Sequence, residues 1–165
     1  MASSSLTEWL LSFRLLHDKA RAGLLKDSEL VRYRTGRDEL ARALLAAQRV
    51  QLKTGEMPRR ALRVARALQL DLDLITSQVR AITIDLSTGG FSCLLAKAPP
   101  LGEEIRFSLR MPASEPLAGR ARVHDVRALP GNVRVAFEFL GFSEADRERV
   151  ELFVFDTVLA QIAPP

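Results

Sequence analysis

Apolar and polar positions alternate with two different periods along this chain, helical at both ends and two-residue in the middle. Leu6, Trp9, Leu10, Phe13, Leu16 and His17 recur at helical spacing behind a capping-box sequence, Ser5-Leu6-Thr7-Glu8, and predict a helix over 5–22 that Gly23 ends. Asp27 or Ser28 caps a second helix whose apolar positions are Leu30, Tyr33, Leu40, Ala41, Leu44, Leu45 and Leu52. Gln48 interrupts that stripe, Gly36 is a weak point in it, and Gly55 and Pro58 stop the helix. Two antiparallel helices cannot bury both apolar faces on each other alone. Their stripes must rest on the rest of the monomer, on a second copy or on a different protein.

The two-residue period begins at Leu68, Leu70, Leu72 and Leu74 and returns at Ile82, Ile84 and Leu86, with Ile75 to Val79 as the connecting loop. Antiparallel pairing that puts Leu72 opposite Ile82 also puts Leu70 opposite Ile84 and Leu68 opposite Leu86, and its extension brings Val64 opposite Gly90. Four more alternating runs follow: Phe91, Cys93, Leu95; Ile105, Phe107, Leu109, Met111; Leu117, Ala121, Val123; and Val133, Val135, Phe137, Phe139. Turn sequences separate them at 98–102, 112–116 and 129–132. Six short sequential strands favour a small antiparallel barrel, which removes the free edges of an open sheet. From Ser143 onward, Val150, Phe153, Val154, Thr157, Val158 and Ile162 predict a terminal helix that covers an open barrel end. The expected class is therefore mainly β with helices (α+β): a six-stranded antiparallel barrel with a C-terminal helix and an N-terminal helical hairpin. The boundary falls near Pro58, with residues 1–55 as a helical extension and 56–165 as the barrel domain with its C-terminal helix.

Composition narrows the function. The 165 residues are 47% hydrophobic, enough for a core, and no stretch approaches the ~20 apolar residues of a membrane span. Glu8 and Arg14 interrupt any signal-peptide pattern, so the expected location is cytoplasmic without membrane insertion. A single cysteine, Cys93, excludes an internal disulfide and a cysteine-based zinc cluster, and reads as a buried small hydrophobe. The net charge of +4 belongs to residues 1–55, which carry 10 Lys+Arg against 6 Asp+Glu. These charges alternate in sign along helical faces, which fits solvated helix surface better than nucleic-acid binding.

Two short stretches carry candidate chemistry: Arg59-Arg60-Ala61-Leu62-Arg63 and Asp85-Leu86-Ser87-Thr88-Gly89-Gly90. The hairpin register brings them to about one strand separation, ~5 Å. Guanidinium forks can donate two bonds to the O6/N7 edge of guanine, stack on its plane or bind phosphate, while a carboxylate accepts from the N1 and N2 protons. Ser87 can donate to or accept from a ligand, and Gly89 or Gly90 allows positive φ and close ligand approach. Asp and Ser also cap turns through their own side chains, so a purely structural role competes with the ligand role. Whether the Asp85 carboxylate faces the arginines decides between them.

Arg59-x-x-x-Arg63 followed by Asp85-x-Ser87-x-x-Gly90 resembles the paired signature of the PilZ domain, a bacterial receptor module for cyclic diguanylate (c-di-GMP), over roughly Met57 to the C-terminus. The resemblance implies the same barrel and assigns c-di-GMP binding to Arg59, Arg63, Asp85, Ser87 and Gly90. Arg60, inside the motif, and Arg66, where the family more often has an apolar residue, either add phosphate contacts or point to water. The extra arginine that favours a stacked ligand pair in the family is here Pro58, which leaves one or two ligands open.

No catalytic set competes with this. His17 and His124 lie in different segments without a triad or metal-ligand pattern, Trp9 belongs to a helix stripe, and no glycine-rich phosphate loop or paired catalytic carboxylates occur. The expected protein is a c-di-GMP receptor, not an enzyme, without cofactor or metal. It changes conformation as the Arg59–Arg63 segment closes over the nucleotide, and it signals to an unidentified effector protein. The N-terminal helices offer a homodimer contact. The competing reading is a PilZ-type adaptor or structural protein that works through those helices without nucleotide.

Overall fold

The computed structural model describes residues 2–50, 62–112 and 114–162. The elements, in chain order, are α1 (Ala2–Ala22), α2 (Asp27–Val50), β1 (Val64–Ala65), β2 (Gln69–Asp73), β3 (Gln78–Ser87), β4 (Gly90–Leu95), β5 (Glu104–Leu109), β6 (Leu117–Leu129), β7 (Asn132–Leu140) and α3 (Glu144–Gln161). They form two compact units, one running from Arg63 to Val150 and the other made of α1, α2 and α3 from Glu151 on. The boundary expected at Pro58 lies outside the described residues.

The first unit is a closed six-stranded antiparallel barrel. Its strands follow the order β3-β2-β5-β6-β7-β4, with β4 returning to β3, and β1 pairs with β3 outside the ring as a seventh strand. Closure leaves the alternating apolar side chains nowhere to go but inward. Leu70, Leu72, Phe91, Cys93, Ile105, Phe107, Leu109, Ala121, Val123, Val135 and Phe137 are all buried. Phe91 stacks on Phe137 at 5.1 Å and meets Phe107 edge-on at 5.3 Å, so the core is aromatic on the side where β4 and β7 pair.

The first hairpin differs from its sequence reading. Leu72 pairs with Val79, Leu70 with Ala81 and Gln69 with Ile82, three residues away from the expected register, because β2 ends at Asp73 and a tight turn closes through Leu74 N–H to the Ser77 carbonyl. An odd shift exchanges faces, so Ile82 is 59% exposed instead of facing Leu72. A bulge between Thr83 and Asp85 then reverses the parity and returns Leu86 to the interior. Val64 is opposite Leu86, not Gly90. A second bulge, between Val123 and Asp125, lets β6 continue to Leu129, six residues past the expected end.

In the helical unit, Phe13 stacks between Trp9 and Tyr33 at 5.4 and 5.5 Å and meets Phe155 of α3 edge-on at 6.4 Å. Gly36 serves this packing: a Cβ there would come within 2.9 Å of the Phe13 ring. The apolar stripes of α1 and α2 thus gain a third helix as their cover, with Phe155, Val158 and Leu159 buried. Leu6, assigned to the stripe by spacing, is exposed. Arg14 donates to the carbonyls of Leu159 and Ile162, both at 2.8 Å, and so serves the last turn of α3. His17 is buried and bonds through Nδ1 to the Tyr33 hydroxyl at 2.8 Å, and its Nε2 lies 3.4 Å from Asp156. Burial pulls its pKa below the ordinary 6.5, with Asp156 opposing the shift.

Candidate functional site

Local pairing explains how the two motifs meet. Ala65 of β1 lies opposite Asp85 of β3, and Val64 lies opposite Leu86, so Arg63 enters directly beside the Asp85-Leu86-Ser87 stretch. The gap between β1 and β2 is held by Thr83, whose Oγ1 accepts from Leu68 N–H at 2.9 Å and donates to the Arg66 carbonyl at 2.6 Å. A hydroxyl at Thr83 thereby fixes the path that delivers Arg63. The Arg66 side chain is exposed, on the next residue of that path.

The Asp85 carboxylate faces the arginine. Arg63 Nη1 lies 3.7 Å from Asp85 Oδ2, a charge contact too long for a hydrogen bond. The same oxygen accepts from Arg134 Nη2 at 2.9 Å, while Oδ1 accepts from Ser92 Oγ at 2.8 Å. Only 11% of the Asp85 side chain reaches solvent, whereas both arginines keep 34% exposed. A nearly covered carboxylate is tolerable because both oxygens are bonded and two cations compensate its charge. Arg134 on β7 and Ser92 on β4 were not singled out by the motif. Both occupy the outward positions of alternating strands; the β3–β4 hairpin sets Ser92 opposite Asp85, and barrel closure, which pairs β7 with β4, carries Arg134 there.

Ser87 and the glycines are first of all turn residues. Ser87 Oγ accepts from Gly89 N–H at 3.1 Å and lies 3.4 Å from the Gly90 carbonyl, closing the β3–β4 hairpin. Neither Gly89 nor Gly90 uses the positive φ that glycine allows; among the described residues the positive-φ glycines are Gly23, Gly102, Gly131 and Gly141. Gly90 is required for a different reason. A Cβ there would stand 1.9 Å from the Phe137 carbonyl oxygen, so the absence of a side chain lets β4 and β7 approach. Arg59 and Arg60 lie outside the described residues.

Elsewhere on the barrel, two open clefts of about 560 and 540 Å³ lie over β2, β3 and β5, and neither is lined by Arg63, Asp85, Ser87 or Arg134. Cys93, buried beside this site, has its thiol pushed up to about 12 by burial and is inert packing. His124 is exposed, with Nδ1 3.8 Å from Glu138. Among the described residues, no three His, Cys, Asp or Glu side chains could hold a metal ion, and no helix is long and apolar enough to cross a membrane.

The PilZ domain family pattern matches residues 58–156, more than half of the chain. The chain belongs to the PilZ domain family. Within that family its structure is similar to the Bacillus subtilis inhibitor of motility MotI/DgrA, at a TM-score of 0.59 and 18% identity over 66% of this chain and 55% of that one. It is also similar to Klebsiella pneumoniae MrkH in its complex with c-di-GMP, at a TM-score of 0.56 and 14% identity over 64% and 54% of the two chains. A third likeness is to Escherichia coli YcgR in complex with c-di-GMP, at 0.53 and 22% over 59% and 45%. At these identities the likeness establishes the PilZ barrel, and the chain spans about half the length of each of these proteins. No curated protein sequence matches it.

Proposed function

We propose that this PilZ chain is a bacterial cytoplasmic receptor for c-di-GMP without catalytic activity, which changes conformation on binding and passes the signal to a partner protein. The observation that carries the reading is the meeting of Arg63 with the Asp85 carboxylate at 3.7 Å, which joins the two halves of the motif on one surface. Family membership and the c-di-GMP complexes of YcgR and MrkH support the choice of ligand. In this reading Arg63, with Arg59 and Arg60 from the preceding stretch, binds phosphates and the O6/N7 edge of guanine. Asp85 accepts from the N1 and N2 protons, and Ser87 and Gly90 shape the hairpin against which the base lies.

A second reading is favoured by the satisfied state of Asp85, whose oxygens are already bonded to Ser92 and Arg134 on the outer face of the barrel. There the motif is structural, and the chain is an adaptor that acts through its N-terminal helices, as a monomer or homodimer, without nucleotide. Amide chemical-shift mapping with c-di-GMP separates the two. Receptor function requires shifts concentrated at Arg63–Ala65, Ser87–Ser92 and Arg134. A spectrum that does not change at saturating nucleotide, or changes only over the β2–β5 clefts, would reject the proposed site.

A further inference from the structure

Asp85 has two cationic neighbours that are not equivalent. Arg134 donates a hydrogen bond to Oδ2 at 2.9 Å and comes within 3.5 Å of Ser92 Oγ, whereas Arg63 stays at 3.7 Å from the same oxygen. Arg63 can therefore turn away from Asp85 without breaking a hydrogen bond, and Arg134 cannot. Geometry reinforces the difference. Leu94 is opposite Arg134, and Ser92 lies opposite both Asp85 and Ala136, so the Arg134 side chain crosses β4 over Ser92 to reach β3. That reach covers two strand separations of ~4.8 Å each, which an extended arginine spans together with the Asp85 side chain that meets it. Ser92, over which it passes, is small and bonded to the same carboxylate.

We propose that Arg134 is a positioning residue for the nucleotide site, holding the Asp85 carboxylate oriented while Arg63 leaves it for the ligand. This inference rests on the c-di-GMP reading above. A carboxylate has about four acceptor positions. Ser92 and Arg134 occupy two of them and fix the plane of the group, and the remaining two are free for the adjacent N1–H and N2–H of guanine once Arg63 has moved. Without Arg134, the departure of Arg63 would leave a nearly covered carboxylate with no cation from the described residues, which is costly. The carboxylate would then rotate to keep Arg63, in competition with the ligand. Arg134 thus acts on the nucleotide through Asp85, and its effect must vanish when the Asp85 charge is gone.

The test is a double-mutant cycle read by calorimetric titration of the full chain with c-di-GMP: wild type, Arg134→Gln, Asp85→Asn and the pair. Loss of a charged hydrogen bond predicts an affinity decrease of ~10-fold or more in Arg134→Gln. In the Asp85→Asn background the same substitution should add less than ~3-fold, because there is no carboxylate left to hold. Arg134→Lys, with a point charge but no planar fork, should fall between wild type and Arg134→Gln. Ser92→Ala removes the other hold on Asp85 and should show the same non-additivity, which keeps the inference testable if Arg134→Gln lowers the thermal midpoint. Losses that multiply in the double variant would mean that Arg134 touches ligand independently of Asp85, and no loss in Arg134→Gln would mean it plays no part; either result overturns the inference alone. A wild type that binds no c-di-GMP overturns the receptor reading and this inference with it.

Discussion

Substitution of Gly90 by alanine tests what the motif glycine does in the barrel. The added Cβ would lie 1.9 Å from the Phe137 carbonyl oxygen, 2.9 Å from its carbon and 3.0 Å from Glu138 Cα. All three neighbours are backbone, so relief requires β4 and β7 to separate by about 1 Å where Gly90 pairs with Glu138. That movement strains the hydrogen bond from Phe139 N–H to the Gly89 carbonyl, 2.9 Å long, and at least one ladder bond beside it. Two weakened backbone bonds cost ~1 kcal/mol each, and loosening the Phe91–Phe137 stack adds ~0.5–1.5 kcal/mol. The total is ~2–4 kcal/mol, which for a unit of this size lowers the thermal midpoint by ~10 °C or more. Gly89→Ala is the control, since its Cβ would meet only Ser87 Oγ, at an ordinary 3.7 Å. Urea titrations of both variants against wild type give the answer. Equal midpoints for Gly90→Ala and Gly89→Ala would refute a close strand approach as the reason for glycine at position 90.

Two other outcomes follow from buried titratable groups. With its thiol pushed up to about 12, Cys93 should not react with a disulfide reagent at pH 8 in the folded protein, and should become reactive only in denaturant; fast labelling of the native state would show the β4 packing to be open. His17 is buried with a lowered pKa, facing Tyr33, Asp156, Arg21 and Asp18, so the unfolded chain takes up its proton at higher pH than the folded one. The stability that neutral His17 permits is present above about pH 6.5 and is lost progressively as pH falls below that value. Urea midpoints at pH 7.5 and 5.5 should therefore differ more for wild type than for His17→Gln, and equal differences would remove His17 from the acid response of the helical unit.

The barrel was legible in the sequence because alternation marks its interior positions, and Phe91, Phe107, Val135 and Phe137 are all buried where alternation puts them. The first hairpin was not, because alternation gives parity but not register. Ile82 is as apolar as any interior residue yet lies outside, and the inward position opposite Leu70 is held by Ala81, which carries little signal. The bulge at Thr83 then changes parity within a single strand, which no fixed period can follow. Of the site, Arg63 and Asp85 were legible as a pair although the register used to join them was three residues off; β1 restores the contact by pairing separately from β2. Arg134 was hidden because its meeting with Asp85 depends on the pairing of β7 with β4, a contact across 49 residues, and Ser92, only seven residues from Asp85, because the bulge at Thr83 sets which β4 residue stands opposite. The cover for the N-terminal helices was also non-local, since it comes from residues at the far end of the chain.

Calorimetric titration of c-di-GMP into the full chain tests the receptor reading most directly, with cyclic diadenylate as the competing nucleotide and Arg63→Ala as the site variant. Saturable binding of c-di-GMP is expected, with a loss of at least ~2 kcal/mol in Arg63→Ala from removal of a charged fork, and discrimination against adenine, which lacks the N1 and N2 protons that Asp85 would accept. Absence of binding by the wild type, or equal affinity for the two nucleotides and for Arg63→Ala, would contradict a guanine-reading site at Arg63 and Asp85.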